Sequence, residues 1–251
     1  MTDRAVPGMP SFSDQADADT ATDAYARRFS GPVGEWFLEV QRRIVLELLS
    51  PWPRATVLDL GGGHAQIAGS LVEAGYRVTV AGSKETCRER LDRTLPPGSF
   101  GYHTVDLLDL PWRDREFDVA VSLRFLSHVV RWQRLLGEMC RVARHAVLLD
   151  YADRWSFNLI GGPLFAAKRR VERNTRRYHV FDRDQLVREF ASHGFGRAAV
   201  RPEFFLPMVV HRGVGRAGFT RLVEGASRKS GVTRLLGSPV ILRVERILDG
   251  R

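Results

Sequence analysis

From Ala55 to Tyr151 the chain alternates short β-branched, apolar runs with amphipathic segments of helical period. Few folds satisfy such alternation. Each run suits one buried strand, each amphipathic segment one covering helix, and parallel strands need a crossover between them. Ala55–Gly63, Tyr76–Gly82, Phe100–Asp106, Asp118–Arg124 and His145–Tyr151 read as strands, and Ala65–Gly75, Lys84–Leu95 and Arg131–Ala143 as helices. The fold class expected is therefore α/β, a mostly parallel sheet with helices on both faces. Ligands of such sheets lie beyond the carboxyl ends of the strands, so the residues just after each run matter most.

Residues 1–22 are rich in Asp, Ala, Ser, Thr and Pro and hold few large apolar groups. They bury too little surface to offset ordering, which predicts a disordered tail. Residues 23–251 read as a single domain. Within it, 23–50 supply N-terminal lid helices, 51–153 the sheet core, and 154–251 further helices and closing strands. The strong helix Glu35–Leu49 stops at Pro51. Arg154–Arg177 reads as one or two helices broken at Gly161-Gly162-Pro163, and Asp182–Gly194 as a capped helix. Gly196–Leu206 is the expected sixth strand. Pro239–Leu248 is the seventh, closing the sheet after a partly helical insertion over roughly Pro207–Gly237.

No apolar stretch approaches the roughly 20 residues that cross a bilayer, and the first twenty residues lack a signal pattern, which points to a cytoplasmic protein. Cys87 and Cys140 have no metal-ligand spacing and read as reduced thiols; no metal site is expected. The net charge of +9 is spread along the chain except at Lys168–Arg177, with six basic residues and one acid. That stretch suits either the solvated face of a helix or an anion site for a phosphorylated or lipid acceptor or for RNA.

The turn Leu58-Asp59-Leu60-Gly61-Gly62-Gly63-His64-Ala65-Gln66 carries the chemistry. Its glycines let backbone approach a ligand closely, and the following helix start offers free N–H groups. A dinucleotide fingerprint wants glycine where Gln66 stands. Asp59, two residues before the first glycine, would repel a pyrophosphate and suit a ligand bearing an ammonium and a sulfonium. This turn resembles the first motif of class I S-adenosylmethionine-dependent methyltransferases. Val105–Trp112 (VDLLDLPW), Phe117–Ser122 (FDVAVS) and Phe125–Val129 (FLSHV) resemble later segments of that family, in the same order. The similarity spans about Tyr25 to Gly196 and lies nearest the quinone and small-molecule or lipid branch. No [ND]PPY of DNA methylases is present.

The resemblance implies a Rossmann-like, mostly parallel seven-stranded sheet whose last strand is antiparallel, with S-adenosyl-L-methionine as cofactor. Gly61, Gly62 and Gly63 would pass under the methionine portion and ribose, and Asp59 would orient the amino group. Asp106 would accept from the adenine amine, the N–H of Leu107 would meet a ring nitrogen, and the backbone at Leu123 would lie near the methionine ammonium. One departure stands out. The second strand ends Val80-Ala81-Gly82-Ser83 without the family's ribose-binding acid, leaving Ser83 or Glu85 as substitutes.

Methyl transfer needs alignment and exclusion of water, and an oxygen or nitrogen nucleophile can also need a base. His128, after the fourth strand, and Asp150 and Tyr151, after the fifth, are the catalytic candidates. Tyr25, Arg28, Arg124, Tyr178 and His179 are the acceptor-side candidates. The activity expected is methylation of an O or N atom of a small-molecule or lipid-like acceptor. An RNA methyltransferase and a non-catalytic binding protein of the same fold are the alternatives.

Overall fold

The computed structural model describes residues 14–156 and 179–247. Its strands are β1 (Thr56–Leu60), β2 (Arg77–Gly82), β3 (Phe100–Thr104), β4 (Phe117–Ser122), β5 (Ala143–Asp153), β6 (Val180–Phe181), β7 (Phe195–Pro202) and β8 (Val240–Arg246). They lie in the order β3-β2-β1-β4-β5-β8-β7, with the short β6 pairing β5 off this path. β8 runs antiparallel to both neighbours, and the remaining pairs are parallel. This is the Rossmann-like arrangement expected. The last strand does not close the sheet, however; it inserts between β5 and β7. Its alternation explains why, since Val240, Ile241, Leu242 and Val244 are all buried. A strand apolar on both faces belongs in the interior, whereas β7, with its exposed arginines, takes the edge.

The helices are α1 (Asp17–Thr20), α2 (Asp23–Ala26), α3 (Gly31–Leu49), α4 (Ala68–Glu73), α5 (Glu89–Thr94), α6 (Trp132–Val142), α7 (Arg183–Ser192), α8 (Met208–Val214), α9 (Ala217–Lys229) and α10 (Val232–Leu236). Two apolar layers sandwich the sheet. On one face Phe37, Val40, Ile44 and Leu48 of α3 and Leu71 of α4 meet Val57, Val80, Val121 and Leu148. On the other Leu135, Leu136 and Met139 of α6 and Phe190 of α7 meet Leu58, Leu60, Val147 and Leu149. Strand alternation therefore turns Asp59 and Asp150 toward the α3 face and Tyr151 toward the α6 face. Between β2 and β4 the chain order reverses around β1, which opens the crevice where such folds take ligands.

Three expectations need correction. The tail is not disordered from Asp14 onward: Ala16 and Asp17 are 3% and 0% exposed, and α1 packs on the turns that follow β1 and β2. Apolar content alone misses this, because the Asp17 carboxylate is held by hydrogen bonds from Ser83. The helix expected from Ala65 starts only at Ala68, since Ala65 sits at φ +57° and a left-handed residue cannot propagate a helix. The helix expected over Lys84–Leu95 splits into a 3-10 turn (Glu85–Cys87) and α5. Residues 1–13, the break at 161–163, the basic stretch 168–177 and Tyr178 lie outside the described residues.

Phe37 is wholly buried and meets Phe204, Trp36 and His211 with ring centroids 4.9–5.8 Å apart. Phe37→Ala should destabilise the fold by about 3–5 kcal/mol, measured by urea unfolding. A loss below 1 kcal/mol would show that α3 is not anchored through this ring.

Candidate functional site

β1 delivers Asp59 and then turns sharply. Gly61 sits at φ +73°, a conformation costly for any side chain, and its N–H donates to the Ala81 carbonyl at 2.8 Å. A Cβ on Gly62 would collide with the Asp59 carboxylate. The glycine run thus shapes the turn and makes room for the acid. Asp59 is fully buried, and neither oxygen has a hydrogen-bond partner among the described residues. Burial raises its pKa to about 7. An ionised carboxylate left in this state is costly, so the arrangement calls for a cationic or hydrogen-donating ligand.

His64 stitches the turn to the end of β4. The N–H of Gln66 donates to its Nδ1 at 3.1 Å, which leaves Nε2 carrying the proton toward the Leu123 carbonyl at 3.2 Å. Burial lowers the His64 pKa to about 4, so the ring is neutral. Leu123, expected near the methionine ammonium, therefore already engages His64 through its carbonyl.

Beyond β4, Arg124 gathers a second group of polar residues. It adopts φ +57°. Its N–H donates to Asp150 Oδ1 at 2.5 Å, its Nε donates to Gln66 Oε1 at 2.7 Å, and its guanidinium lies 4.5 Å from the Phe29 ring centroid. The Gln66 side chain, where a dinucleotide fold wants glycine, is thus the clasp that aims Arg124. Tyr25 joins them: burial raises its hydroxyl's pKa, while the neighbouring Arg124 charge pulls it down. Burial likewise raises Asp150 against the pull of Arg124. Arg28 lies over the Tyr25 ring at 5.5 Å.

Glu203 completes the group without being marked by any motif. It is 0% exposed, burial pushes its carboxyl up to about 8, and it feels the charges of Arg124 and Asp150. Gln41 of α3 faces it without a hydrogen bond of good geometry. A lone acid in Pro-Glu-Phe-Phe-Leu, just past a strand, was the available signal.

The other candidates are dispersed. Tyr151 faces away from Asp150, with its hydroxyl 3.3 Å from Asp153 Oδ2 and its ring against Phe181. His128 ends the 3-10 turn Leu126–His128, and His179 donates its N–H to Ser127 O at 2.6 Å. Asp106 accepts from the Leu108 N–H at 2.9 Å, closing a turn, and lines an open cleft of about 520 Å³ with Arg131 and Arg134. The buried Leu107 follows it. Ser83 gives both its N–H and its hydroxyl to Asp17. Cys87 and Cys140 are buried free thiols. Among the described residues no His, Cys, Asp or Glu cluster could hold a metal, and no helix is long and apolar enough to cross a membrane.

S-adenosylmethionine can be tested against these walls. At the methionine end the unpartnered Asp59 and the open-backed turn Gly61–Gly63 fit its ammonium. At the nucleoside end β2 offers Gly82, where a Cβ would collide with the Tyr102 hydroxyl, and α1 covers the turn. The methionine end therefore fits the donor, while at the nucleoside end the space above the turn is held by the chain's own α1.

Residues 58–149 match the methyltransferase domain family. An O-methyltransferase of Penicillium expansum is 30% identical over 110 residues, 42% of this chain and 40% of that one. A 2-phytyl-1,4-naphtoquinone methyltransferase of Nostoc punctiforme is 31% identical over 133 residues, 47% of this chain and 58% of that one. The chain thus spans about half the length of the curated relatives it matches. Magnesium protoporphyrin IX methyltransferase of Synechocystis, solved with S-adenosylhomocysteine bound, superposes with a TM-score of 0.64 at 15% identity, covering 92% of this chain and 97% of that one.

The lone acid makes a pH prediction. Asp59 has a higher pKa folded than unfolded, so its cost to stability is absent below about pH 4, grows as pH rises, and is full above about 7. Asp59→Asn should gain little at pH 4 and about 3–4 kcal/mol at pH 8 relative to the parent protein, measured by urea unfolding at both pH values. An equal effect at the two pH values would mean that the fold does not raise the Asp59 pKa.

Proposed function

We propose that this chain, built on the class I methyltransferase fold and matching the methyltransferase domain over residues 58–149, moves a methyl group from S-adenosyl-L-methionine to an oxygen or nitrogen of a small-molecule or lipid-like acceptor. The observation that carries this reading is Asp59, a buried carboxylate without a partner at the head of a glycine turn. Gly61, Gly62 and Gly63 would line the donor's path, Asp59 would orient its ammonium, and Asp106 and the N–H of Leu107 would read its base. The donor supplies an electrophilic methyl on a sulfonium; the protein's part is to align a nucleophile with it and keep water out.

On the acceptor side the group around Arg124 supports the assignment better than the other candidates do. Asp150 and Glu203 are carboxyls whose burial raises their pKa. Raising a carboxyl's pKa makes its ionised form a stronger base, able to take a proton from a hydroxyl or an amine as it attacks. Arg124, fixed by Gln66 and Asp150 and roofed by Phe29, presents a rigid cation beside them, and Tyr25 shares its environment. These residues orient the acceptor; Asp150 or Glu203 receives its proton. Tyr151, on the opposite face and deep in the core, is left out of this arrangement. The related O-methyltransferase and naphtoquinone methyltransferase point to a small-molecule acceptor.

A second reading, a binding protein that keeps the fold without the donor, draws on Gly82 and on α1 lying over the turn. Calorimetry separates the two. The full chain should bind S-adenosylmethionine and S-adenosylhomocysteine, and Asp59→Asn and Asp106→Ala should each weaken binding by about tenfold. Absence of binding, or binding indifferent to both substitutions in folded protein, overturns the assignment.

A further inference from the structure

We infer that residues 14–21 form a strap that occupies the donor crevice, with Asp17 on Ser83 as its latch, and that the strap leaves when S-adenosylmethionine enters. The inference rests on the donor reading of the same crevice.

The contacts are direct. Asp17 is wholly buried, and its two carboxylate oxygens take the Ser83 N–H at 2.7 Å and the Ser83 hydroxyl at 2.6 Å, with the Cys87 thiol 3.6 Å away. The Cβ of Asp17 lies 3.3 Å from where a Cβ on Gly61 would stand, and that of Ala21 lies 3.1 Å from one on Gly63. α1 therefore rests on the glycine turn and reaches the end of β2. A ligand that runs along that turn toward β2 needs the same volume, and the two cannot be present together.

The sequence of β2 explains the latch. Gly82 has no side chain to offer, and the space beside it is held by the Tyr102 hydroxyl, which donates to the Lys84 carbonyl at 2.6 Å. With no acid on the strand, the Ser83 amide and hydroxyl take a carboxylate from α1 instead. Charge-assisted bonds of this kind are short and strong.

A second carboxylate of the strap is also held. Asp14 accepts from the Arg131 N–H at 3.1 Å and from its Nε at 2.8 Å. The next segment is fixed independently, because Asp23 of α2 pairs with Arg90 and Arg93. Thr22 between them is extended and is the point at which α1 can hinge away from α2, with loss of the bond from the Thr22 hydroxyl to the Asp19 carbonyl. A helix of only four residues belongs to the low-stability end of a fold. Its closed population lowers the apparent affinity of any ligand that needs the crevice open.

Titration calorimetry with S-adenosylhomocysteine on the full chain, Asp17→Ala and Asp14→Ala tests this, with hydrogen exchange of residues 14–21 in parallel. Both substitutions should tighten binding, Asp17→Ala by about tenfold and Asp14→Ala by less, and saturating ligand should speed exchange of residues 14–21. Weaker binding by Asp17→Ala, or slower exchange of 14–21 on saturation, would overturn the strap and make Asp17 part of the bound site. Unchanged binding by both variants would overturn it as well. No binding by any form would remove the donor reading and the strap with it, an outcome distinct from the preceding ones.

Discussion

A buried carboxylate without a partner among the described residues governs this molecule. Asp59 stands at the end of the central strand, and sheet alternation turns it toward α3 and away from water. Gly62 has no side chain because Asp59 needs the room, and Gly61 takes a left-handed turn to carry the chain past it. His64, neutral and bonded to Leu123, pins the far side of the turn to β4. Stability alone would not select an isolated buried acid, whereas a cationic ligand would repay it.

The same edge of the sheet holds a second investment of buried polarity. Arg124, Asp150, Glu203, Gln41 and Gln66 come from the loop after β4, β5, the segment after β7, α3 and the glycine turn, and the fold brings them together at the strand ends. Their bonds are incomplete: Glu203, Gln41 and one Arg124 nitrogen lack partners among the described residues. Such atoms are thereby concentrated at the strand ends, where the α/β architecture puts its ligands. The aromatic rings of Phe29, Trp36, Phe37 and Phe204 wall it on the α3 side.

Much of this was legible in the sequence, for physical reasons. The parallel strands announced themselves because buried strands must be apolar on both faces, and the glycine turn because a tight strand exit needs residues free to adopt positive φ. Asp59 was singled out because an acid just before a glycine turn is itself informative, and Asp150 and Arg124 because they fall at strand ends. The strand order was less accessible: β8 and β7 both read as closing strands, and only their burial shows which is interior. Glu203 stayed hidden because a single acid carries no period. Asp17 stayed hidden because a polar, alanine-rich tail counts as unfoldable until a specific amide and hydroxyl donate to its carboxylate. Tyr151 adjoins Asp150 in the sequence, yet a strand sends neighbours to opposite faces.

A crystal structure of the full chain grown with S-adenosylhomocysteine would bear on the whole account at once. The prediction is ligand density along Gly61–Gly63 with its ammonium facing Asp59 and its ribose where Asp17 now meets Ser83. Density elsewhere, or a crevice still filled by residues 14–21 with the ligand at saturation, would contradict it.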